Sequence, residues 1–456
     1  MNVVLVNPAP EVLTQKWDQP GFPCLSLAYL AATLRRNGVG VKVIDGKFEG
    51  LPLSRIVSRL AELDAPVFGL TAMTHEIVDA AKIASHIKAV HPAATVAVGG
   101  CHVTALPEQT LREFPAFDLA VVGEGEYSFL EVVRALDAGS SLQGISGIAY
   151  RENGDVRRNA PRPYIADLDE LPEPAWDLFP RAKTYPVMTT RGCPFQCVFC
   201  MRVQGNKLRL RTPEKVVDEI GRLISDYGAQ EIIFYDETFT LKKDRIHHIL
   251  DLIIERGYNR RIKWVAQTRV NECDEALLAK MARAGCWEID LGIESGNAEM
   301  LKRIGKQITL DDARQAVRLA KKVGIRAATL FILGHPHETK KTAMDTIDFA
   351  VELNGARLSL GIMVPYPGTA VAQMAAKGEG GYRLLSQDWS DFNKYLGNAL
   401  ELEGLTRAEL ERLQAWGYVK FYLWNLRLHD LLGLVYGRRR EALAAAKRLF
   451  AKLAHA

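Results

Sequence analysis

Three of the seven cysteines crowd into eight positions of TTRGCPFQCVFCMR, as Cys193, Cys197 and Cys200. Three thiolates this close converge on one soft centre, and cysteine thiolates are the usual ligands of iron-sulfur clusters. The C-x3-C-x2-C spacing leaves a [4Fe-4S] cluster one ligand short. An iron without a protein ligand can bind a small molecule, which makes such a site catalytic and not merely electron-carrying. A structural zinc site wants four ligands, typically in paired C-x2-C elements, and no fourth cysteine or histidine lies nearby in the sequence. Cys273 and Cys286 could join only through the fold, and both stand in helix-period or strand-edge contexts where a buried free cysteine is ordinary.

Other residues with chemical potential fall where apolar runs end. Asp236, Glu237, Gln267, Arg269, Glu294 and Ser295 each follow such a run, and the rim formed by strand ends is where a β/α barrel places its chemistry. Any one of them taken alone is as readily a rim ion pair. Asp236 and Glu237 are adjacent and point to opposite faces, so one of the two is expected to be structural. Nearer the N-terminus, Asn7-Pro8, Gly99-Gly100 and Gly123-Glu124-Gly125-Glu126 close earlier runs, and their glycines would let backbone approach a large cofactor. Each glycine by itself is better explained by a tight strand-to-helix turn.

The elements that must position these residues alternate. Val3–Val6, Val41–Ile44, Val67–Thr71, Thr95–Val98 and Leu119–Val122 read as buried strands, with helix-period stretches such as Leu25–Arg36 and Ile77–Val90 between them. Residues 1–140 are therefore expected to form a doubly wound, Rossmann-like α/β domain. Glycines and prolines punctuate 141–180, read as a small hairpin and linker. Over 181–375, strands near Val187–Thr190, Ile232–Tyr235, Trp264–Thr268, Ile289–Ile293, Ala327–Leu333 and Leu358–Val364 alternate with helices, which predicts a partial (β/α)6 barrel. The strand signal stops near 376, so 376–456 reads as a helical domain with helices over Leu405–Leu432 and Arg438–Leu453. Trp416, Tyr418, Phe421, Tyr422 and Trp424 are spaced as core, or else as the wall of a pocket for a flat substrate.

At 456 residues, 48% hydrophobic and 25% charged, the chain has the composition of a globular protein of two or three domains. A net charge of +4 is too weak to argue for nucleic acid. No apolar run reaches the ~18 residues of a membrane span, no leader peptide is evident, and the odd, clustered cysteines argue against disulfides, so a reduced, cytoplasmic protein is expected.

The cysteine motif after the first barrel strand resembles that of the radical S-adenosylmethionine superfamily. FYDETFT (234–240), WVAQTRV (264–270), LGIESG (291–296), FILGHPHET (331–339) and PYPGT (365–369) resemble the same superfamily's strand-end segments. The resemblance implies that S-adenosylmethionine chelates the open iron through its amino and carboxylate groups and that Phe199 lies near its adenine. It makes Arg269 a partner for the carboxylate, Glu237 or Glu294 an acceptor for ribose or amino groups, and Gln267 and Ser295 further contacts. NPAP (7–10), PCLSLAYLAATLRRNG (23–38), GGCHVTALPEQTL (99–111) and VVGEGEYSFLEVV (121–133) resemble the cobalamin-binding domain that precedes the barrel in one subgroup. By that resemblance Pro8, Ser26, Leu27, Gly99, Gly100, His102, Val103, Thr104, Gly123, Glu124, Gly125 and Glu126 are candidate cobalamin contacts. The D-x-H-x-x-G motif of other cobalamin proteins is absent, which leaves His102 and His75 as the nearest candidates for cobalt.

The implied activity is cobalamin-dependent methylation of an unactivated carbon, or of phosphorus, in a small-molecule intermediate, with flavodoxin or ferredoxin as electron donor. Two alternatives stay open: a non-methylating enzyme (cyclase, rearrangement or aminocarboxypropyl transfer) with an empty first domain, and a corrinoid or iron-sulfur sensor without turnover.

Overall fold

The computed structural model describes residues 1–9, 20–395 and 397–437. The first sheet contains β1 (Asn2–Asn7), β2 (Gly40–Asp45), β3 (Val67–Thr71), β4 (Thr95–Gly99), β5 (Leu119–Val121), β6 (Ile148–Glu152) and β7 (Asp155–Arg158), in the order β2-β1-β3-β4-β5-β6-β7. The first five strands are parallel; the apolar runs of β1, β3, β4 and β5 are buried on both faces, whereas β2, at the sheet edge, is buried only at Ile44-Asp45. Alternate residues feed two cores. Val3, Leu5 and Val67 pack under the helices Leu25–Arg36 and Gly125–Asp137, while Val4, Val6 and Phe68 pack against Leu53–Ala61 and Ile77–Val90. The strand order reverses between the parallel neighbours β1 and β3, and that crevice is where a doubly wound sheet binds its ligand.

The hairpin expected within 141–180 is β6-β7, and it extends this sheet: β6 pairs antiparallel with β5, and Asn153-Gly154, both at positive φ, make the tight turn.

The second sheet is formed from β8 (Thr184–Val187), β11 (Glu231–Phe234), β12 (Lys263–Thr268), β13 (Cys286–Glu294), β14 (Arg326–Leu333) and β15 (Arg357–Ile362), all parallel, in the order β15-β14-β13-β12-β11-β8. β8 and β15 do not pair, so the barrel is open. Helices Pro213–Asp226, Lys243–Glu255, Glu275–Arg283, Leu310–Lys322 and Lys340–Leu353 cover its outside. Its core is continuous with the first domain's core beneath Leu25–Arg36.

The first barrel strand ends earlier than expected, at Val187. The buried Asp236 carboxylate accepts hydrogen bonds from the amides of Thr189 (2.6 Å) and Thr190 (3.0 Å), which takes the chain out of the ladder. Thr190–Arg191 then forms β9, paired antiparallel with β10 (Arg209–Leu210).

Beyond 376 the expectation of helices alone is corrected. β16 (Tyr382–Leu384) and β17 (Leu400–Leu402) pair antiparallel, each too short for a period-2 signal to rise above noise. The single helix expected over Leu405–Leu432 is two, Arg407–Trp424 and Leu428–Gly437, with Leu426 between them at φ 55°. Tyr418, Phe421 and Tyr422 are core, whereas Trp416 and Trp424 are exposed. The helix expected over Arg438–Leu453 lies outside the described residues, as does Pro10. Among the described residues no helix is long and apolar enough to cross a membrane.

Candidate functional site

Residues 192–208 form a loop between β9 and β10, and this loop carries the three cysteines. Gly192 is obligatory at its start: φ is +89°, and a Cβ there would lie 2.2 Å from the Lys207 carbonyl. The Cys193 amide donates to the Gly205 carbonyl (3.2 Å), the Cys200 amide to the Cys197 carbonyl (3.1 Å), and the Val198 amide to the Ile304 carbonyl (3.1 Å). The loop is thereby tied to the segment following β13. All three thiols are free and partly exposed. Burial, with smaller contributions from Glu237 and the neighbouring thiols, pushes Cys193 and Cys200 up from the ordinary thiol value. Among the described residues no three His, Cys, Asp or Glu side chains are grouped to hold one metal ion. A four-iron cube takes its thiols at separate corners, so its ligands need not meet at one point.

The rim residues divide sharply. Asp236 is structural: besides the two amides it accepts from the Thr189 hydroxyl (2.6 Å) and is 2% exposed. Glu237, its neighbour, has an Oε2 atom with no hydrogen-bond partner, and burial, reinforced by Asp236, raises its carboxyl to about 7. Arg269 is 4% exposed; its guanidinium stacks 3.7 Å from the Phe195 ring centroid, donates to the Lys306 carbonyl and approaches Cys197 Sγ at 3.8 Å. Its Nε has no partner. Glu294 holds a left-handed φ of 73° at a bulge in β13 and pairs with the buried Lys306 ammonium at 2.9 Å. Gly292 leaves the space for that pair, since a Cβ there would stand 2.8 Å from Glu294 Oε1. Ser295 is fully buried and bonded to Thr346 Oγ1 (3.1 Å), a packing role. Gln267 is exposed, with its carbonyl receiving the Phe239 amide. Phe199 is half-buried against the barrel core.

A cavity of about 1090 Å³ opens at the carboxyl ends of the first sheet, and the barrel and residues 388–393 contribute to its wall. Ser26, Leu27, Gly99, Gly100, Thr104, Gly123, Glu124, Gly125 and Glu126 line it; Pro8, His102 and Val103 do not. His102 is turned into the protein, 0% exposed, edge-on to Trp389 with ring centroids 4.8 Å apart. Neither ring nitrogen has a partner, and burial lowers its pKa to about 4. His75 does line the cavity, beside Glu76. Glu124 and Glu126 direct their carboxylates to Arg191 and Arg209. From the barrel side the wall receives Met188, Arg191, Gln204 and Tyr235.

Several members of this arrangement escaped the sequence reading: Lys306, Arg191, Arg209, Tyr235 and the cavity-lining ion pair Lys47–Glu76. Arg191 carried a usable signal, lying two residues before Cys193. The others sit in ordinary loop or strand-end contexts.

Residues 187–350 match the family model of the radical SAM superfamily, and residues 21–133 match that of the B12 binding domain. An uncharacterized methyltransferase of Pyrococcus horikoshii is 38% identical over 432 residues, covering 93% of each chain. The anaerobic magnesium-protoporphyrin IX monomethyl ester cyclase of Cereibacter sphaeroides is 29% identical over 93% of this chain and 71% of its own. The fold is also that of TsrM from Kitasatospora setae, a radical S-adenosylmethionine methyltransferase whose structure holds cobalamin and a [4Fe-4S] cluster: the TM-score is 0.73 at 19% identity, over 93% of this chain and 88% of that one.

Proposed function

The chain belongs to the radical SAM superfamily, in the branch with an N-terminal B12 binding domain, and from that membership we propose that it is a cobalamin-dependent methyltransferase. Its target is an unactivated carbon, or phosphorus, of a small-molecule intermediate. The observation that carries this reading is the cavity shared by the two domains. It is large, lined by apolar residues such as Leu27, Leu70 and Phe129 and by the backbone of Gly99-Gly100, and bounded by the base of the cysteine loop. A flat macrocycle fits such a space.

Cys193, Cys197 and Cys200 hold the [4Fe-4S] cluster, and Ser26, Leu27, Gly99, Gly100, Thr104 and Gly123 are the cobalamin contacts. When bound, the cluster and S-adenosylmethionine supply a carbon-centred radical and the corrin carries the methyl group. The chain's own residues orient and shield. Arg269, whose Nη1 lies beside Cys197 Sγ and whose Nε has no partner, would pair with the carboxylate of S-adenosylmethionine. The open Oε2 of Glu237 accepts from its ribose or amino group. The Lys306–Glu294 pair fixes the carbonyl on which Arg269 rests. Asp388, Ser390 and Asn393 add polar groups to the cavity wall. His102 does not line the cavity; its buried ring packs edge-on against Trp389. An electron enters from a flavodoxin or ferredoxin.

Anaerobic protein reconstituted with iron, sulfide and hydroxocobalamin tests this. The expected result is corrin bands riding on the cluster absorption, with S-adenosylhomocysteine and 5'-deoxyadenosine formed under reduction. Methylthioadenosine alone would reject methylation, and deoxyadenosine without S-adenosylhomocysteine would favour chemistry of the kind in the cyclase relative's name. A triple alanine variant of the three cysteines that retained its full iron would reject the cluster assignment.

A further inference from the structure

The loop that carries Cys193, Cys197 and Cys200 is held at both ends by one carboxylate of the other domain. Arg191 and Arg209 are register partners across the β9-β10 ladder, so they close the base of loop 192–208. Both guanidiniums turn to Glu124, at the tip between β5 and the helix Gly125–Asp137: Arg191 Nη1 lies 3.0 Å from Oε1, and Arg209 Nη1 lies 2.8 Å from Oε2. Arg191 Nη2 also reaches Glu126 Oε1 at 2.6 Å, and the Ile165 amide donates to Glu124 Oε2 at 2.7 Å. The paired side chains are 7–11% exposed. Burial opposes ionisation of Glu124, but Arg209, Arg191 and the Ile165 amide outweigh it and hold the carboxyl below its ordinary range. Arg209 is further fixed by the carbonyls of Ile165 and Gln204, both at 2.7 Å, and by the Tyr164 ring. Each guanidinium gives one nitrogen to Glu124 and fixes its other elsewhere, Arg191 Nη2 on Glu126 and Arg209 Nη2 on the Gln204 carbonyl, so the buried carboxylate is held from two directions by groups that are themselves anchored.

The same tip, through Gly123, Glu124 and Gly125, lines the large cavity. A single short segment therefore touches the corrin space on one side and grips the cysteine loop on the other. We propose that Glu124 is a positioning residue: clamped by Arg191 and Arg209, it sets the separation and orientation of the iron-sulfur cluster relative to the corrin. This rests on the methyltransferase reading for what occupies the cavity and the loop, but the clamp itself is a property of the chain.

Two measurements test it on Glu124→Gln, with Arg209→Lys as the milder second variant that keeps the charge and removes the second nitrogen, which holds the Gln204 carbonyl. In the full chain without cofactors, hydrogen exchange in 192–208 is expected to rise about tenfold while the barrel helices are unchanged. In the protein loaded with Co(II) corrin and reduced cluster, the relaxation enhancement that the cluster imposes on the Co(II) electron spin is expected to fall severalfold, with iron and corrin content retained. Unchanged loop exchange, or unchanged relaxation in a variant holding both cofactors, overturns the proposal while the methyltransferase reading stands. If Glu124→Gln fails to fold, the same outcomes in Arg209→Lys decide. A wild-type protein that takes up no corrin defeats the functional reading and the positioning role together, and is told apart by failing before any variant is made.

Discussion

His102→Phe should make the protein more resistant to acid. His102 has no exposure, neither ring nitrogen has a partner, and its ring meets Trp389 edge-on, so phenylalanine loses no hydrogen bond and keeps the aromatic contact. Burial lowers the histidine from 6.5 to about 4 in the folded state. Between those values the unfolded chain binds a proton that the folded chain refuses, so stability falls as pH falls through this window and is whole above 6.5. At about 1.4 kcal/mol per pH unit the full penalty is about 3 kcal/mol, of which about 2 kcal/mol is felt at about pH 5. Urea unfolding of wild type and His102→Phe, followed by circular dichroism at pH 7.5 and 5.0, isolates this term because the other titrating groups cancel in the difference. The variant should lose about 2 kcal/mol less than wild type between the two pH values. Parallel losses in the two proteins would refute the reasoning.

Asp236→Ala strands two amides and a threonine hydroxyl at the bend before the cysteine loop and should cost about 3–5 kcal/mol in urea unfolding. Asp236→Asn keeps an acceptor for both amides and should cost less than half as much; a cost under about 1 kcal/mol for the alanine variant would show that Asp236 is not the staple. Gly100→Ala should destabilise by about 3 kcal/mol, since φ is +105° and the new Cβ would lie 2.5 Å from the Ala72 carbonyl. Gly99→Ala meets nothing closer than 3.7 Å and should leave the melting temperature unchanged while weakening hydroxocobalamin uptake measured by absorbance, which separates a turn glycine from a cavity glycine. Lys306→Met leaves the Glu294 carboxylate buried without its partner, and a loss of about 3–5 kcal/mol is expected in the same unfolding assay; under 1 kcal/mol would mean that water reaches the site.

Much of the architecture was legible from local pattern. Unbroken apolar runs marked the parallel strands, because a strand covered by helices on both faces must be apolar on both. The three-cysteine spacing needed no fold to be read, since it is a feature of the sequence alone; among the described residues the three thiols are not gathered round one point. The barrel's beginning was misjudged by three residues because Met188-Thr189-Thr190 has strand composition and is bent away only by a carboxylate 47 residues distant. Strands of three residues after 376 were invisible for want of length.

What composition and spacing determined was which residues stand at strand ends, since periodicity fixes the face and the boundary of an element. Only the tertiary structure decided what each of those residues does there. Asp236 became the staple and Glu237 the open carboxylate; Glu124 and Glu126 found arginines 65 to 85 residues away; His102 turned inward to Trp389. The physical reason is that a charged or aromatic side chain at a loop tip has many local choices of nearly equal energy. Burial against a distant element selects among them, because an unpaired charge loses its hydration there and a paired one keeps a partner.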